Sequence, residues 1–238
     1  PEVAPSQFEI NYGYGEVVSA ADQIQLYKLI CRQVATNMGS TACFLPKPVV
    51  GVNGNGMHTN VSISKDGKNL FWDPKGEEKL SKMGWEFVDR ILTHGNDICL
   101  LFNSSVNAYR RLDPHFEAPN QLKASPVDRG AMVRIPIGNE RSMRTEVRAV
   151  APDANPYLVM YSIFKTGLDG ETAKIKNLRS FEKADWTTKL FGADVKARYG
   201  DLKRASADRC PRALGTFVKV PEVQYHHEVY NQFLWNLF

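Results

Sequence analysis

Hydrophobic and polar positions repeat along this chain in two periods, and each switch of period predicts an element. Residues 2–12, EVAPSQFEINY, alternate by two: Gln7, Glu9 and Asn11 on one side, Phe8 and Ile10 on the other. That predicts a strand, with a bend at Pro5 before it. Residues 19–39 take up the helical period, with Ser19 placed to cap, Ile24, Tyr27, Ile30 and Val34 in an apolar stripe, and Gly39 at the end. Residues 41–50 lean towards β but are broken by Pro46 and Pro48. Next, GVNGNGMHTNVSIS (51–64) is a glycine- and asparagine-rich turn feeding a strand. His58, Asn60, Ser62 and Ser64 share one face of it; Met57, Thr59, Val61 and Ile63 share the other. DGKNLF reads as a hairpin turn.

A second helix is predicted over 79–94, its apolar side formed by Leu80, Met83, Trp85, Phe87, Val88, Ile91 and Leu92, with Gly95 as its stop. Beyond it, 115–126 reads as a loop, VRIPI and TEVRAV as buried strands, and the stretch after Ala151 as a helix with Pro156 in its first turn and Gly167 at its end. Residues 170–184 carry no strong pattern and predict a flexible surface loop, followed by helices over 186–199 and 201–207. The aromatic tail HHEVYNQFLWNLF is expected to dock on the domain or on a neighbouring subunit. His226 and His227 are adjacent, hence on different helix faces, and make a poor metal pair.

Composition narrows the class. At 238 residues, 43% hydrophobic and 24% charged, the chain suits one soluble globular domain. A net charge of +4 without any Lys/Arg run argues against nucleic acid as a partner. Cys31, Cys43, Cys99 and Cys210 lie too far apart for zinc spacing and are expected to be buried free thiols in a reducing compartment, the cytoplasm. No apolar run approaches the ~20 residues of a membrane span. The chain opens PEVAP without a methionine and is expected to begin inside a longer protein.

Charge placement then changes the picture. Arg134 lies inside VRIPI and Arg148 inside TEVRAV, where Glu146 and Arg148, two apart, share a face. Inward charges on a strand are costly unless they meet a partner, a metal or a charged ligand. With Arg111, Arg129 and Arg144, the stretch 103–148 looks like a guanidinium-lined pocket for carboxylates and phosphates. If the strands lie side by side, Glu2, Glu9, His58 and Glu146 add three carboxylates and one imidazole, a donor set that suits magnesium or manganese better than zinc. No GxxxxGK[ST] loop is present, which excludes a P-loop ATPase. Residue chemistry thus reaches a metal-dependent, ATP-using transferase or ligase with an anionic substrate.

At these residues the sequence resembles glutamine synthetases, nearer the bacterial type I enzymes, in their C-terminal catalytic domain. The resemblance rests on EVAPSQFEI, KPVVGVNGNGMHTNVS, NAYRRLDPHFEAP, DRGAMVRIP, RTEVR and DANPYL, in the family's order and close to its spacing. It implies an α+β fold, a curved and largely antiparallel sheet backed by helices, with 1–238 forming part of a catalytic domain. It also implies roles for individual residues. Glu2 and Glu9 match ligands of a first metal, and His58 and Glu146 ligands of a second. Asn53, Gly54, Arg111 and Arg148 match the glutamate site, while Asn60, Ser62, Arg134 and Arg144 match nucleotide contacts. Arg129 matches the arginine that steadies the transferred phosphoryl group, and Glu117 the flap glutamate that takes a proton from ammonium. On this pattern Glu146 belongs to a metal rather than to Arg148.

The implied reaction joins L-glutamate and ammonia through γ-glutamyl phosphate at the expense of ATP, in a homo-oligomer of two hexameric rings. Three departures accompany the match. The family's N-terminal β-grasp domain and the start of its catalytic domain are absent, so each metal site is expected to be incomplete and the chain alone inactive. Asn60 stands where many bacterial members have histidine. No stretch matches the tyrosine motif used for adenylylation, KNLRS being nearest. A γ-glutamyl ligase acting on a polyamine or other amine, and a non-catalytic relative, are the alternatives.

Overall fold

The computed structural model describes residues 2–168; the elements expected over 170–184, 186–199, 201–207 and the aromatic tail, with Cys210, lie outside the described residues. Four short strands hold the site: β1 (Thr59–Val61), β4 (Gln121–Ser125), β5 (Ala131–Arg134) and β6 (Thr145–Val147). They form one sheet in the order β1-β6-β5-β4, and the hairpin β2 (Ser64–Lys65) and β3 (Lys68–Asn69) stands apart. β6 runs antiparallel to β1 and β5, and only β4–β5 is parallel, as the expected α+β class requires. The hairpin turn falls on Asp66 and Gly67, both with positive φ, the conformation a two-residue connection needs. Register sets the site, because Asn60 lies opposite Glu146, and Glu146 opposite Arg134, in a single row across three strands.

Behind the sheet, α2 (Lys82–Thr93) packs on β4 and β5, α3 (Gly95–Phe102) and α5 (Pro156–Leu168) pack on α2 and on each other, α1 (Val17–Asn37) lies on α5, and α4 (Val106–Arg111) adds Tyr109 to the core. Phe71, Phe87, Val88, Ile91, Ile98, Phe102, Val133, Val147, Val159 and Ile163 build the core. Burying a side chain such as Phe87 is worth ~2–3 kcal/mol. Ser81 begins α2 by accepting a hydrogen bond from the Gly84 N–H at 3.1 Å. That start lies three residues beyond position 79, because 77–79 turn as 3-10 helix with Glu78 left-handed. Gly95 does not end the helical region: α2 stops at His94 and α3 resumes at Gly95, whose bare Cα lets Leu122 and Met132 close in. Gly167 likewise sits inside the last turn of α5 rather than past it. A Cβ there would lie 2.1 Å from the Phe87 ring, so the glycine serves helix packing.

Other expectations are corrected. Residues 2–14 form no strand: Glu2 and Gln7 bond back within a local turn, no strand among the described residues pairs with the segment, and Phe8 is 76% and Tyr14 98% exposed. Residues 41–50 form no strand either. The N-cap of α1 is Glu16, whose carboxylate accepts from the Val18 and Ser19 N–H groups, so Ser19 lies inside the first turn. Of the α1 stripe Ile24 is buried and Tyr27 half-buried, whereas Ile30 and Val34 are about half exposed. Lys28 is buried instead, its Nζ donating to the Pro152 carbonyl at 2.5 Å. The expected loop 115–126 carries part of a 3-10 turn (Pro114–Phe116) and the whole of β4. Among the described cysteines Cys99 is buried, Cys31 half-buried and Cys43 exposed. No helix among the described residues is long and apolar enough to cross a membrane.

Candidate active site

Glu146 is the centre of the site. It occupies the middle of β6, flanked by β1 and β5, and is 3% exposed. Its Oε1 lies 3.1 Å from His58 Nδ1 and 3.3 Å from Arg148 Nη1, and its Oε2 lies 2.5 Å from Arg134 Nε. The last contact is an ion pair without hydrogen-bond direction, which leaves Oε2 buried and without a hydrogen-bond donor. Burial pushes the Glu146 carboxyl up. The His58 hydrogen bond and the charges of His58, Arg134 and Arg148 outweigh it and bring the group down to about 2. Glu146 is therefore shared by three basic groups, Arg148 among them. A carboxylate this buried requires compensation from whatever charges its strand neighbours supply.

His58 enters from the residue before β1. Burial lowers its imidazole below the usual range, the Glu146 hydrogen bond opposes that, and the charges of Arg111 and Arg148 reinforce it. The ring is thus neutral near pH 7, the form that can ligate a cation. Arg111, from the last turn of α4, donates to the carbonyls of Arg148 at 2.9 Å and Ala149 at 3.3 Å, and its Nη2 lies 3.4 Å from His58 Nε2. Burial and Arg148 lower it to about 10, so it stays charged at neutral pH. The backbone carbonyls hold it in place, and among the described residues its charge has no carboxylate partner at contact distance. Arg144 donates through Nε to Asn60 Oδ1 at 2.9 Å, one position along the same sheet face, and Ser62 is exposed just beyond β1. Arg111, Arg148, Arg134 and Arg144 thus follow one another along a wall suited to anions.

The glycine-rich turn forms a second wall. A Cβ on Gly54 would lie 2.3 Å from the Pro46 carbonyl oxygen, so only glycine fits there, and one on Gly56 would lie 2.6 Å from Arg111 Nη2 and displace that side chain. Asn53 is half-buried and donates through Nδ2 to the Phe116 carbonyl at 3.3 Å. Glu117 follows Phe116 with a left-handed φ of 56°, and its Oε2 accepts from Arg129 Nη1 at 2.6 Å; both side chains are exposed.

Glu2 and Glu9 lie on the exposed N-terminal segment. That segment is tied to the glycine turn by Gln7 Nε2, which donates to Gly54 O and Asn55 Oδ1, each at 2.8 Å. A hydrogen bond with Glu9, then burial and the Glu9 charge, raise Glu2; the same bond, with one from Asn11, lowers Glu9. Opposite shifts of this kind are what two neighbouring carboxyls that hydrogen-bond to each other show. Among the described residues no three His, Cys, Asp or Glu side chains converge on one metal position. The acids and His58 present two pairs instead. Two protein donors each suit magnesium, which keeps several waters and takes further oxygens from substrate phosphates.

Two contributors escape the alternation pattern, Lys47 and Gly56, while Gln7 falls within the alternation of residues 2–12 with nothing there to mark it as a tether. Lys47 is buried, donates through Nζ to the Val52 carbonyl at 2.5 Å, and lies 3.7 Å from the Phe116 ring centre. Its signal in the sequence is a lysine between two prolines in an apolar stretch.

Comparison with known proteins places the chain in a family. Residues 1–183 match the family described as glutamine synthetase, catalytic domain. The glutamine synthetase of Thermus thermophilus is 41% identical over 174 residues, 73% of this chain and 39% of that protein. That of Methanosarcina mazei is 37% identical over 209 residues, 86% of this chain and 46% of that protein. The Plasmodium falciparum glutamine synthetase, solved by electron cryomicroscopy, superposes with a TM-score of 0.64 at 33% identity, over 68% of this chain and 32% of that one. The chain spans less than half the length of these relatives. On the family match, which covers more than three quarters of its residues, the chain belongs to the glutamine synthetase catalytic-domain family.

Proposed function

We propose that this chain carries the glutamate- and nucleotide-binding part of an ATP-dependent glutamate–ammonia ligase. The carrying observation is the arginine wall around a buried carboxylate, beside a glycine turn with no room for side chains. Arg111, Arg148, Asn53 and Gly54 bind glutamate, and Arg134, Arg144, Asn60 and Ser62 receive the ATP phosphates. Glutamate's γ-carboxylate attacks the γ-phosphorus of ATP, ADP leaves, and Arg129 offsets charge on the transferred group. Ammonium gives a proton to Glu117, and the ammonia so formed attacks the acyl carbon and expels phosphate. Glu117 must first leave Arg129, which occupies its Oε2. Glu2 and Glu9 would hold one divalent ion, magnesium or manganese, and His58 and Glu146 a second. Bound there, such ions would supply positive charge to offset that on the transferred phosphoryl group. The whole enzyme is read as a cytoplasmic homo-oligomer.

The test is ATP-dependent glutamine formation by the protein as it occurs in its cell, with ammonia compared against polyamines. Phosphate release stimulated by ammonia supports the reading; stimulation by polyamines alone overturns the choice of nucleophile. Metal-dependent ATP binding with no turnover on any amine would point to a non-catalytic relative.

A further inference from the structure

We propose that Lys47 is a positioning residue that couples the glutamate-binding glycine turn to the flap carrying Glu117. The proposal rests on the ligase reading above and deepens it.

Lys47 sits where three segments meet. Its backbone is clamped to α4, the helix of Arg111: its N–H donates to Asn107 Oδ1 at 2.7 Å, and its carbonyl accepts from Asn107 Nδ2 at 2.9 Å. Its side chain leaves that anchor and runs under the glycine turn. Nζ donates to the Val52 carbonyl at 2.5 Å, one residue before Asn53, and the stem passes Gly54, where a Cβ would lie 3.4 Å from Lys47 Cδ. The same ammonium stands 3.7 Å from the centre of the Phe116 ring, immediately before Glu117. Asn53 Nδ2 meets the Phe116 carbonyl from the other side at 3.3 Å.

The chemistry of this contact is specific. Lys47 is 8% exposed, and no carboxylate among the described residues lies within ion-pair distance of its amine, the Asp113 charge acting on it only from farther off. A buried ammonium with one carbonyl acceptor needs further compensation, and the π face of Phe116 supplies it. Glu117 itself is held in the left-handed region, which a non-glycine residue keeps only when its surroundings fix it. Lys47 is the group that fixes Phe116, and through Phe116 it sets where Glu117 emerges. A glutamate bound at Asn53 and Gly54 thus touches the same turn that Lys47 props against the flap, so occupancy of one favours the placed state of the other.

The test is a double-mutant cycle of Lys47→Met and Phe116→Leu in the full protein, with Lys47→Arg as the conservative variant. Methionine keeps the stem and removes the charge; leucine keeps an apolar side chain and removes the ring. Each single change is expected to speed amide exchange over residues 113–120 by ~10-fold, the size of a desolvated cation–π contact. Each should raise KM for glutamate by a similar ~10-fold while leaving ATP affinity and unfolding midpoint near those of the parent. The double variant should be no worse than the worse single, and Lys47→Arg should recover most of the loss. Additive effects in the double variant, or unchanged exchange over 113–120, overturn the proposal. If Lys47→Met does not fold, Phe116→Leu and Lys47→Arg still decide it through exchange and KM. A parent protein that makes no glutamine would sink the ligase reading, while the exchange cycle would still report on the coupling.

Discussion

Replacing Glu146 by glutamine tests whether this carboxylate is compensated as the structure implies. The side chain keeps its shape and loses its charge, leaving Arg134 and Arg148 facing an amide. An unperturbed glutamate would titrate at 4.5 and this one titrates at about 2. Each tenfold change in acidity is worth ~1.4 kcal/mol, so the folded state favours the charged form by about 3 kcal/mol. At 4% side-chain exposure there is little solvent screening to discount. The sign follows from a lowered folded value: the stabilisation is complete above pH 4.5 and fades as pH falls towards 2. His58, also lowered, adds a loss in the same direction beginning below its ordinary value of 6.5. Urea unfolding of parent and Glu146→Gln is therefore expected to differ by about 3 kcal/mol at pH 7, with the gap narrowing measurably between pH 4.5 and 3.5. A gap that stays constant with pH, or one under ~1 kcal/mol at pH 7, would refute the compensated-carboxylate account.

Other positions separate packing from chemistry. Gly54→Ala places a methyl against a backbone oxygen that no rotamer change can move, so glutamate affinity in calorimetry should fall by about 10- to 100-fold; an unaltered affinity would mean the turn does not touch the substrate. Gly167→Ala drives a methyl into the Phe87 ring and should cost ~1–3 kcal/mol in urea unfolding while leaving KM alone. Glu117→Gln breaks only an exposed ion pair, so unfolding should shift by less than ~0.5 kcal/mol. The same change should lower kcat by ~100-fold or more, and a kcat within twofold of the parent would remove Glu117 from proton transfer.

What could be read from the sequence was whatever a local period encodes. The alternation around His58 and Asn60 and the placement of Glu146 and Arg148 within TEVRAV gave the sheet face correctly, because a strand puts every second residue on one side whatever lies next to it. The row that matters, Asn60 to Glu146 to Arg134, joins residues 86 apart and then 12 apart, and strand register of that kind is set by tertiary pairing. Residues 2–12 show the converse. Their alternation is as regular as that of β1, yet they pair with no strand among the described residues, and the segment turns back on itself at Ser6. Gly95 and Gly167 read as helix stops because glycine commonly ends helices; here each makes room for a neighbouring side chain, which only the packed structure reveals. Lys47 was invisible to periodicity altogether, since its role depends on an aromatic ring 69 positions away.

The two halves of the site are held in different ways, and the difference bears on how it would load. Arg111, Arg148 and Glu146 are fixed by the sheet, by carbonyl acceptors and by burial, so an anion arriving there meets groups whose ordering cost was met on folding. Glu2 and Glu9 lie on a segment tied to the glycine turn by the Gln7 amide, and the hydrogen bond between them raises Glu2 and lowers Glu9. A cation held by that pair needs both carboxylates ionised, so its affinity would fall as acidification protonates Glu2, whose value is raised. In the sheet-borne half Glu146 stays ionised far below neutral pH. Acidification would therefore weaken the N-terminal pair first, while the arginine wall kept its charge and its affinity for phosphate and carboxylate.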